Sequence, residues 1–185
     1  MYKDTFDSFL ELVPLNANIL ELGGGPGNVV KYLKSKRNDL NILGIDLAPE
    51  MIKEAERQNP DSTFELMDIR DADQIKQKFD AVIAAFCIPY ISYSDAADLF
   101  RKFKNLIKGN GILYISCMEG TRERSGFEKT SFTGDNKMYI NYYERSEIEL
   151  WLKEQNFNIE AFYTKDYPET DGSTTTDIFC VAKKV

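Results

Sequence analysis

The sequence predicts an α/β, doubly wound fold in which a mostly parallel sheet carries helices on both faces. Short apolar strands alternate with helical stretches between residues 19 and 118, and this alternation requires crossover connections that make the sheet parallel. Two continuous apolar runs, Ala81–Phe86 and Ile112–Cys117, are typical of strands buried on both faces. A glycine cluster, Gly23–Gly27, joins the first strand to the first helix. A ligand can approach bare backbone at such a junction.

The size and composition of the chain indicate one globular domain over residues 1–185. Hydrophobic residues make up 43% and charged residues 29% of the 185 residues, a balance typical of a protein with a packed core. The formal net charge of -7 disfavours broad binding to nucleic acid or anionic membranes. No apolar run approaches the ~20 residues of a spanning helix, and no signal-peptide pattern opens the chain. We therefore expect a cytoplasmic protein that acts on a small molecule; its oligomeric state stays open.

The counts of histidine and cysteine restrict the classes of enzyme and of metal site that the chain could contain. The chain has no histidine, which removes the commonest general base and metal ligand and leaves no basis for a zinc hydrolase or a Ser-His-Asp enzyme. Cys87, Cys117 and Cys180 lie in apolar, strand-like segments without metal-binding spacing. We expect reduced thiols in the core and no metal.

The order of elements follows from hydrophobic periodicity and turn residues. The predicted elements of the first half are a leading helix at 4–12, strands at 19–22, 41–45, 63–66 and 81–86, and helices at 29–33, 49–57 and 72–76. A helix at 94–107, which Gly109 is placed to close, then leads to a strand at 112–117.

The last part of the chain is predicted to contain a helix and two strands. Ser146 and Glu149 have the spacing of a capping box, and Asn156 suits a left-handed helix stop. Strands Phe157–Thr164 and Asp177–Ala182 follow, separated by a polar loop long enough for a hairpin. The final strand should therefore run antiparallel.

Residues 120–143 interrupt this rhythm and are predicted to be an insertion with a lid-like role. The segment mixes glycine and polar residues with aromatic side chains, namely Phe127, Phe132, Tyr139, Tyr142 and Tyr143. One interpretation is a small satellite core under a long loop. The other is a cover over an acceptor pocket, in which Tyr139 and Tyr142 bind the substrate.

The glycine cluster and two later carboxylates suggest a nucleotide-like ligand. A dinucleotide fingerprint needs a small third residue, but its two possible frames end on Asn28 and Val30. Asp46 ends the second strand, where a carboxylate can accept both hydroxyls of a ribose; the alternative is a helix cap. Asp68 follows the third strand, where it can accept an exocyclic amine of adenine or can simply form a turn.

These segments together resemble class I S-adenosylmethionine-dependent methyltransferases. Glu21–Gly27 resembles the E-x-G-x-G-x-G loop of that family, and Gly44–Met51 resembles its ribose-binding strand end. Further matches, in the same order as in the family, are Asp68-Ile69, the strand Phe79–Phe86 and the run Leu106–Leu113. The resemblance covers roughly residues 17 to 183 and is specific because the motifs keep their order and intervals.

The resemblance implies S-adenosylmethionine as cofactor and a seven-stranded sheet of order 3-2-1-4-5-7-6 with the last strand antiparallel. The implied cofactor-binding residues include Gly23, Gly24, Gly25 and Gly27 along the methionine portion, Asp46 at the ribose, Asp68 and Ile69 at the adenine, and Leu47 and Met51 near the purine. Glu21 and Phe86 are further candidate cofactor-binding residues. Ala48 departs from the family's usual Ser or Thr helix cap. Cys87 and Ile88 depart from the motif of amino-methylating DNA enzymes, which disfavours base methylation.

The need for a catalytic base depends on the acceptor. Methyl transfer is an in-line displacement, so alignment suffices for a carboxylate or neutral amine. A hydroxyl or carbon acid would lose a proton to Tyr90, Glu119 or a tyrosine of the insertion. Two other functions remain open at this stage: an NAD(P)-dependent oxidoreductase, and a non-catalytic scaffold with the same fold.

Overall fold

The computed structural model describes residues 2–129, 137–168 and 174–185. Within them, the first half of the chain alternates strands and helices as predicted. Its elements are α1 (Lys3–Leu12), β1 (Asn18–Leu22), α2 (Asn28–Lys36), β2 (Asn41–Asp46), α3 (Pro49–Gln58), β3 (Thr63–Leu66), a 3-10 helix (Ile69–Gln74) and β4 (Phe79–Ala85).

The second half adds the largest helix and the longest strands. Its elements are a 3-10 helix (Ile88–Tyr90), α4 (Tyr93–Leu106), β5 (Ile107–Met118), a 3-10 helix (Arg122–Arg124), β6 (Gly126–Lys129), β7 (Lys137–Ile140), α5 (Arg145–Glu154), β8 (Phe157–Pro168) and β9 (Thr174–Lys184). Strands β6 and β7 form a separate antiparallel hairpin inside the predicted insertion.

The main sheet has seven strands in the order β3-β2-β1-β4-β5-β9-β8. Because β6 and β7 stand apart, β8 and β9 are the sixth and seventh strands of this sheet, and the predicted order 3-2-1-4-5-7-6 is confirmed. Strand β9 is antiparallel to both β5 and β8, as the hairpin-length loop indicated. The strand order reverses between β1 and β4, so a crevice lies at their carboxyl ends.

Two buried clusters hold the sheet between its helices. One contains Phe100 and Trp151 from α4 and α5, and the other contains Phe9 and Leu33 from α1 and α2. A buried hydroxyl pair, Thr5 with Tyr114 at 2.8 Å, fixes α1 to β5. The apolar faces read from the sequence are therefore the faces that pack.

The three thiols lie inside this core. Cys87, Cys117 and Cys180 are all buried and unpaired. Burial raises the pKa of Cys87 and of Cys180 to about 12 and raises that of Cys117 as well, because a thiolate is poorly solvated there. Among the described residues, no helix combines the length and apolar character that crossing a membrane requires.

Some local predictions were wrong. Gly109 does not close α4, because α4 ends at Leu106 and β5 already pairs with β4 through Ile107 and Phe79. The helix near 72–76 is a 3-10 helix that begins at Ile69.

The predicted start of α5 was also displaced. Ser146 is not the cap of α5; Glu144 is, in a reciprocal capping box with Glu147. A glutamate can therefore replace Ser or Thr when its carboxylate reaches the same backbone N–H groups. The predicted left-handed stop at Asn156 is confirmed by its φ of 60°.

Candidate cofactor and acceptor site

The glycine loop turns sharply at the carboxyl end of β1. The N–H of Gly24 donates to the carbonyl of Ile45 at 3.0 Å, which ties the loop to β2. Gly23 has φ +63°, and a Cβ there would lie 2.7 Å from Cβ of Cys87. Gly25 has φ +54°, but no described atom lies within 4 Å of its Cβ position. The loop is thus packed on its sheet side at Gly23 and open at Gly25.

Asp46 supports this loop from the end of β2. Its Oδ2 accepts a hydrogen bond from the N–H of Gly25 at 2.8 Å, and its Oδ1 accepts one from the N–H of Ala48 at 2.9 Å. Ala48 is the N-cap of α3 and has no side-chain cap of its own, so Asp46 supplies an acceptor there. Each carboxylate oxygen keeps a further lone pair for a ligand hydroxyl.

Apolar and acidic residues continue this edge of the sheet. Leu47 is 64% and Met51 38% exposed, so both present apolar surface close to Asp46. Asp68 accepts hydrogen bonds from the backbone and guanidinium of Arg70, and this contact lowers its pKa. Ile69 beside it is buried. The structure thus shows the turn-forming role of Asp68, and its adenine contact stays a prediction.

Glu21 lies beneath the glycine loop. It is 1% exposed, and its Oε2 is buried without a hydrogen-bond partner in the described part of the chain. Burial, with a smaller contribution from the negative charge of Asp46, raises the pKa of Glu21 to about 8. Such an unpaired buried carboxyl is costly when ionised.

Phe86 follows β4 in a backbone conformation that side chains rarely adopt. Its φ is 52°, and its N–H donates to both the carbonyl and the hydroxyl of Ser116. Its ring lies 5.8 Å from that of Phe179 and 6.2 Å from that of Tyr2, whose hydroxyl donates to Asp177. Backbone strain held by neighbouring contacts is a common feature of functional sites.

Residues of the insertion form hydrogen bonds with the segment 88–91, which follows Phe86. The side-chain amide of Asn141 donates to the carbonyls of Pro89 at 3.2 Å and Ile91 at 2.7 Å. The hydroxyl of Tyr143 donates to the carbonyl of Ile88 at 3.0 Å. Tyr90, in the middle of this segment, is 38% exposed, and burial raises the pKa of its phenol. Sequence reasoning missed Asn141, because no local motif marks an amide that bridges distant carbonyls.

Replacing Asn141 with alanine is expected to loosen residues 88–91 without weakening cofactor binding. Two neutral hydrogen bonds are lost, each contributing about 1 kcal/mol. Hydrogen exchange of the Tyr90 and Ile91 amides should accelerate severalfold, while affinity for S-adenosylhomocysteine stays within about twofold. Asn158, an exposed amide on β8, provides the matched control. Equal exchange in Asn141→Ala and Asn158→Ala would contradict this role.

The described aromatic residues of the insertion lie in different environments. Tyr143 is fully buried and packs in the same core cluster as Phe100 and Trp151, so it belongs to the main core rather than to a separate satellite core. Tyr142 is 2% exposed and its hydroxyl donates to Glu128. Tyr139 is 45% exposed and packs edge-on against Phe127. Phe132 lies outside the described residues.

Glu119 directly follows β5 at the same edge of the sheet. Its N–H donates to the carbonyl of Thr176, and its backbone forms an isolated parallel β-bridge with that of Tyr143. The next residue, Gly120, packs against the ring of Tyr142. The structure thus brings Glu119 next to Tyr143, with Tyr142 against the neighbouring Gly120, and it brings Glu21 and Asp46 together at the glycine loop.

Comparison with known proteins agrees with this geometry. The family described as a methyltransferase domain matches residues 19–111 of the chain. The chain belongs to this family. S-adenosylmethionine is the cofactor of these class I enzymes.

Individual relatives share part of the sequence, and a solved structure shares the fold. Protein 235L of Invertebrate iridescent virus 6 is 33% identical over 110 residues, which are 58% of this chain and 40% of that protein. A demethylmenaquinone methyltransferase of Thermotoga maritima is 26% identical over 178 residues, 85% of this chain and 76% of the relative. A SAM-dependent methyltransferase structure from Methanosarcina mazei superposes with a TM-score of 0.82 at 17% identity, covering 96% of this chain and 97% of the other.

The described residues fit this cofactor. The backbone is open at Gly25, Asp46 offers carboxylate oxygens to hydroxyl groups, and Glu21 keeps an unpaired buried oxygen beneath the loop. The small third residue of a dinucleotide site is replaced by Asn28 in one possible frame and by Val30, which is fully buried in the core, in the other. The site therefore matches an adenosyl ligand with a cationic group better than a pyrophosphate.

Proposed function

We propose that this chain is an S-adenosylmethionine-dependent methyltransferase that acts on a small-molecule acceptor. The observation that carries the proposal is the contact between Asp46 and the Gly25 N–H beside open space at the loop. The relatives differ in what they are named for, and the chain spans only two fifths of 235L. Its acceptor is therefore inferred only as a class.

The described residues divide the work between cofactor and acceptor. When bound, S-adenosylmethionine supplies an electrophilic methyl carbon on a sulfonium. On the cofactor side, Gly23–Gly27 and Asp46 would position the ligand, Glu21 would face its positive charge, and Leu47, Met51, Asp68, Ile69 and Phe86 would surround the adenosine. Fixing the ligand in this way would align its methyl carbon with the acceptor atom. Such alignment is the main requirement for an in-line displacement.

The acceptor side is proposed to lie between the segment after β4 and the insertion. We infer that Tyr90 and Glu119 are the candidate bases for an acceptor that must lose a proton. Tyr139 and Tyr142 are the candidate acceptor contacts, with residues 120–143 acting as a lid that excludes water. The exposure of Tyr139 supports this arrangement. Tyr142 is buried, so it would form part of the pocket wall together with Gly120, which packs against its ring.

We also propose the domain organisation, the kind of partner and the cellular location of the protein. We infer one domain over residues 1–185, because helices from both halves of the chain pack on one sheet. The net charge of -7 supports a small-molecule partner rather than nucleic acid. Unpaired, buried thiols support a reducing, cytoplasmic location.

Thermal unfolding tests the cofactor assignment. S-adenosylmethionine and S-adenosylhomocysteine should raise the melting temperature, whereas NAD and ATP should not, because only a ligand bound to the native state stabilises it. Incubation of cell extract with methyl-deuterated cofactor and mass spectrometry would then reveal a labelled acceptor. Absence of any shift at millimolar cofactor would remove the proposal, and stabilisation without labelled product would favour a non-catalytic scaffold.

A further inference from the structure

Among the described residues, none stabilises the negative charge of Glu21 through a hydrogen bond or a positive charge. Glu21 is the fourth of the five residues of β1 and is paired in register with Gly44 on β2 and Ile83 on β4. A Cβ on Gly24 would lie 2.8 Å from its Oε2, and one on Gly44 would lie 3.8 Å from it. The backbone of two glycines therefore packs against the carboxyl group, and Oε2 receives no hydrogen bond from any described residue.

The titratable groups near Glu21 are acidic or neutral. Asp46 at the end of β2 is the charged group that acts on Glu21, and it raises the Glu21 pKa further. Cys87, after β4, also faces it, and burial keeps that thiol protonated by raising its pKa to about 12. From β3 the neighbour is the apolar ring of Phe64, which packs against Gly44. The described environment thus favours the neutral carboxylic acid.

We propose that Glu21 is uncharged in the free protein and releases its proton when the cofactor binds, so that cofactor affinity is linked to pH. The proposal rests on the proposed function, since it concerns the same site. S-adenosylmethionine carries a sulfonium and an ammonium group, and S-adenosylhomocysteine keeps the ammonium. A cation within a few ångströms favours the carboxylate, so the ligand would supply the charge partner that none of the described residues supplies.

The sign of the pH dependence follows from where the proton is held more tightly. The free protein binds the Glu21 proton with a pKa of about 8, and the complex binds it more weakly, so raising the pH favours the complex. Affinity should increase up to about tenfold per pH unit between roughly pH 6 and 8. Above the free-protein pKa this contribution becomes constant.

Isothermal titration with S-adenosylhomocysteine tests the linkage without requiring turnover. At pH 7 a group with a pKa of about 8 is about nine-tenths protonated. Titrations in phosphate and in Tris, which differ in ionisation enthalpy, should therefore report release of at least about half a proton per ligand bound. Glu21→Gln is the matched variant, because glutamine has the shape and neutrality of the protonated acid. It should release no proton, and its affinity should lose the steep pH dependence.

The comparison with Glu21→Gln removes any proton exchange by the ammonium group of the ligand, because both proteins bind the same ligand in the same buffers. Tight binding by the wild type with no buffer-dependent heat would overturn the proposal, as would equal proton release by Glu21→Gln. If no ligand binds to the wild type, the proposed function fails instead. If only the variant fails to bind, carbon-13 NMR of labelled glutamate in the free wild type decides: a carboxyl that titrates near pH 8 supports the proposal, and its absence overturns it.

Discussion

Replacing Asp46 with alanine is expected to weaken S-adenosylhomocysteine binding by at least about tenfold and to destabilise the fold by about 1–3 kcal/mol. The change removes the acceptor for the N–H groups of Gly25 and Ala48, and it also removes the carboxylate proposed to bind the ribose. A typical hydrogen bond contributes about 0.5–1.5 kcal/mol, so the loss of these two accounts for the expected destabilisation. Isothermal titration gives the affinity, and urea unfolding gives the stability.

Two further variants make this result specific. Asp46→Asn keeps one acceptor oxygen and should therefore lose less affinity than the alanine variant. Asp61→Ala removes an exposed carboxylate after α3 and should leave both affinity and stability unchanged. If Asp46→Ala binds the ligand as tightly as Asp61→Ala does, Asp46 serves only as a cap for α3.

Gly23→Ala is expected to be the most damaging small substitution in the loop. A left-handed φ of +63° costs a residue with a Cβ about 1–2 kcal/mol. The new methyl group would also lie 2.7 Å from Cβ of Cys87, and overpacking of this kind costs about 1–3 kcal/mol. Because the clash is with a β-carbon fixed by the backbone, the loop itself must move. Stability and S-adenosylhomocysteine affinity should therefore fall together.

Gly109→Ala is the control for this substitution. No described atom lies within 4 Å of the Cβ position of Gly109, and its φ is outside the left-handed range. The control should unfold at the wild-type urea concentration, within error. Equal behaviour of Gly23→Ala and Gly109→Ala would show that the loop tolerates a side chain and that its packing against Cys87 is loose.

Much of the fold could be predicted because each strand carries its own pattern. Ala81–Phe86 and Ile112–Cys117 are apolar throughout, and these strands lie side by side in the middle of the sheet. The errors occurred where distant partners decide the local structure. Gly109 has the usual chemistry of a helix stop, but pairing of Ile107 with Phe79 draws the chain into β5 before that glycine.

In the candidate site, too, features set by local sequence could be predicted and features set by distant partners could not. The spacing of the glycines and the position of Asp46 follow from local sequence, since one strand end and one turn define them. The bond from Gly25 to Asp46 and the amide bridge from Asn141 to the carbonyls of Pro89 and Ile91 could not be predicted. Such contacts depend on how separate segments meet in the folded chain.

The buried thiols make the protein a convenient background for site-specific labelling. Maleimides react with accessible thiolates, whereas Cys87, Cys117 and Cys180 are enclosed and have raised pKa values. Met138 on β7 is 40% exposed and is not one of the proposed acceptor contacts, so a fluorophore attached through Met138→Cys would label only the β6–β7 hairpin in the native state. Its emission would report directly on movement of that hairpin when cofactor or acceptor is added.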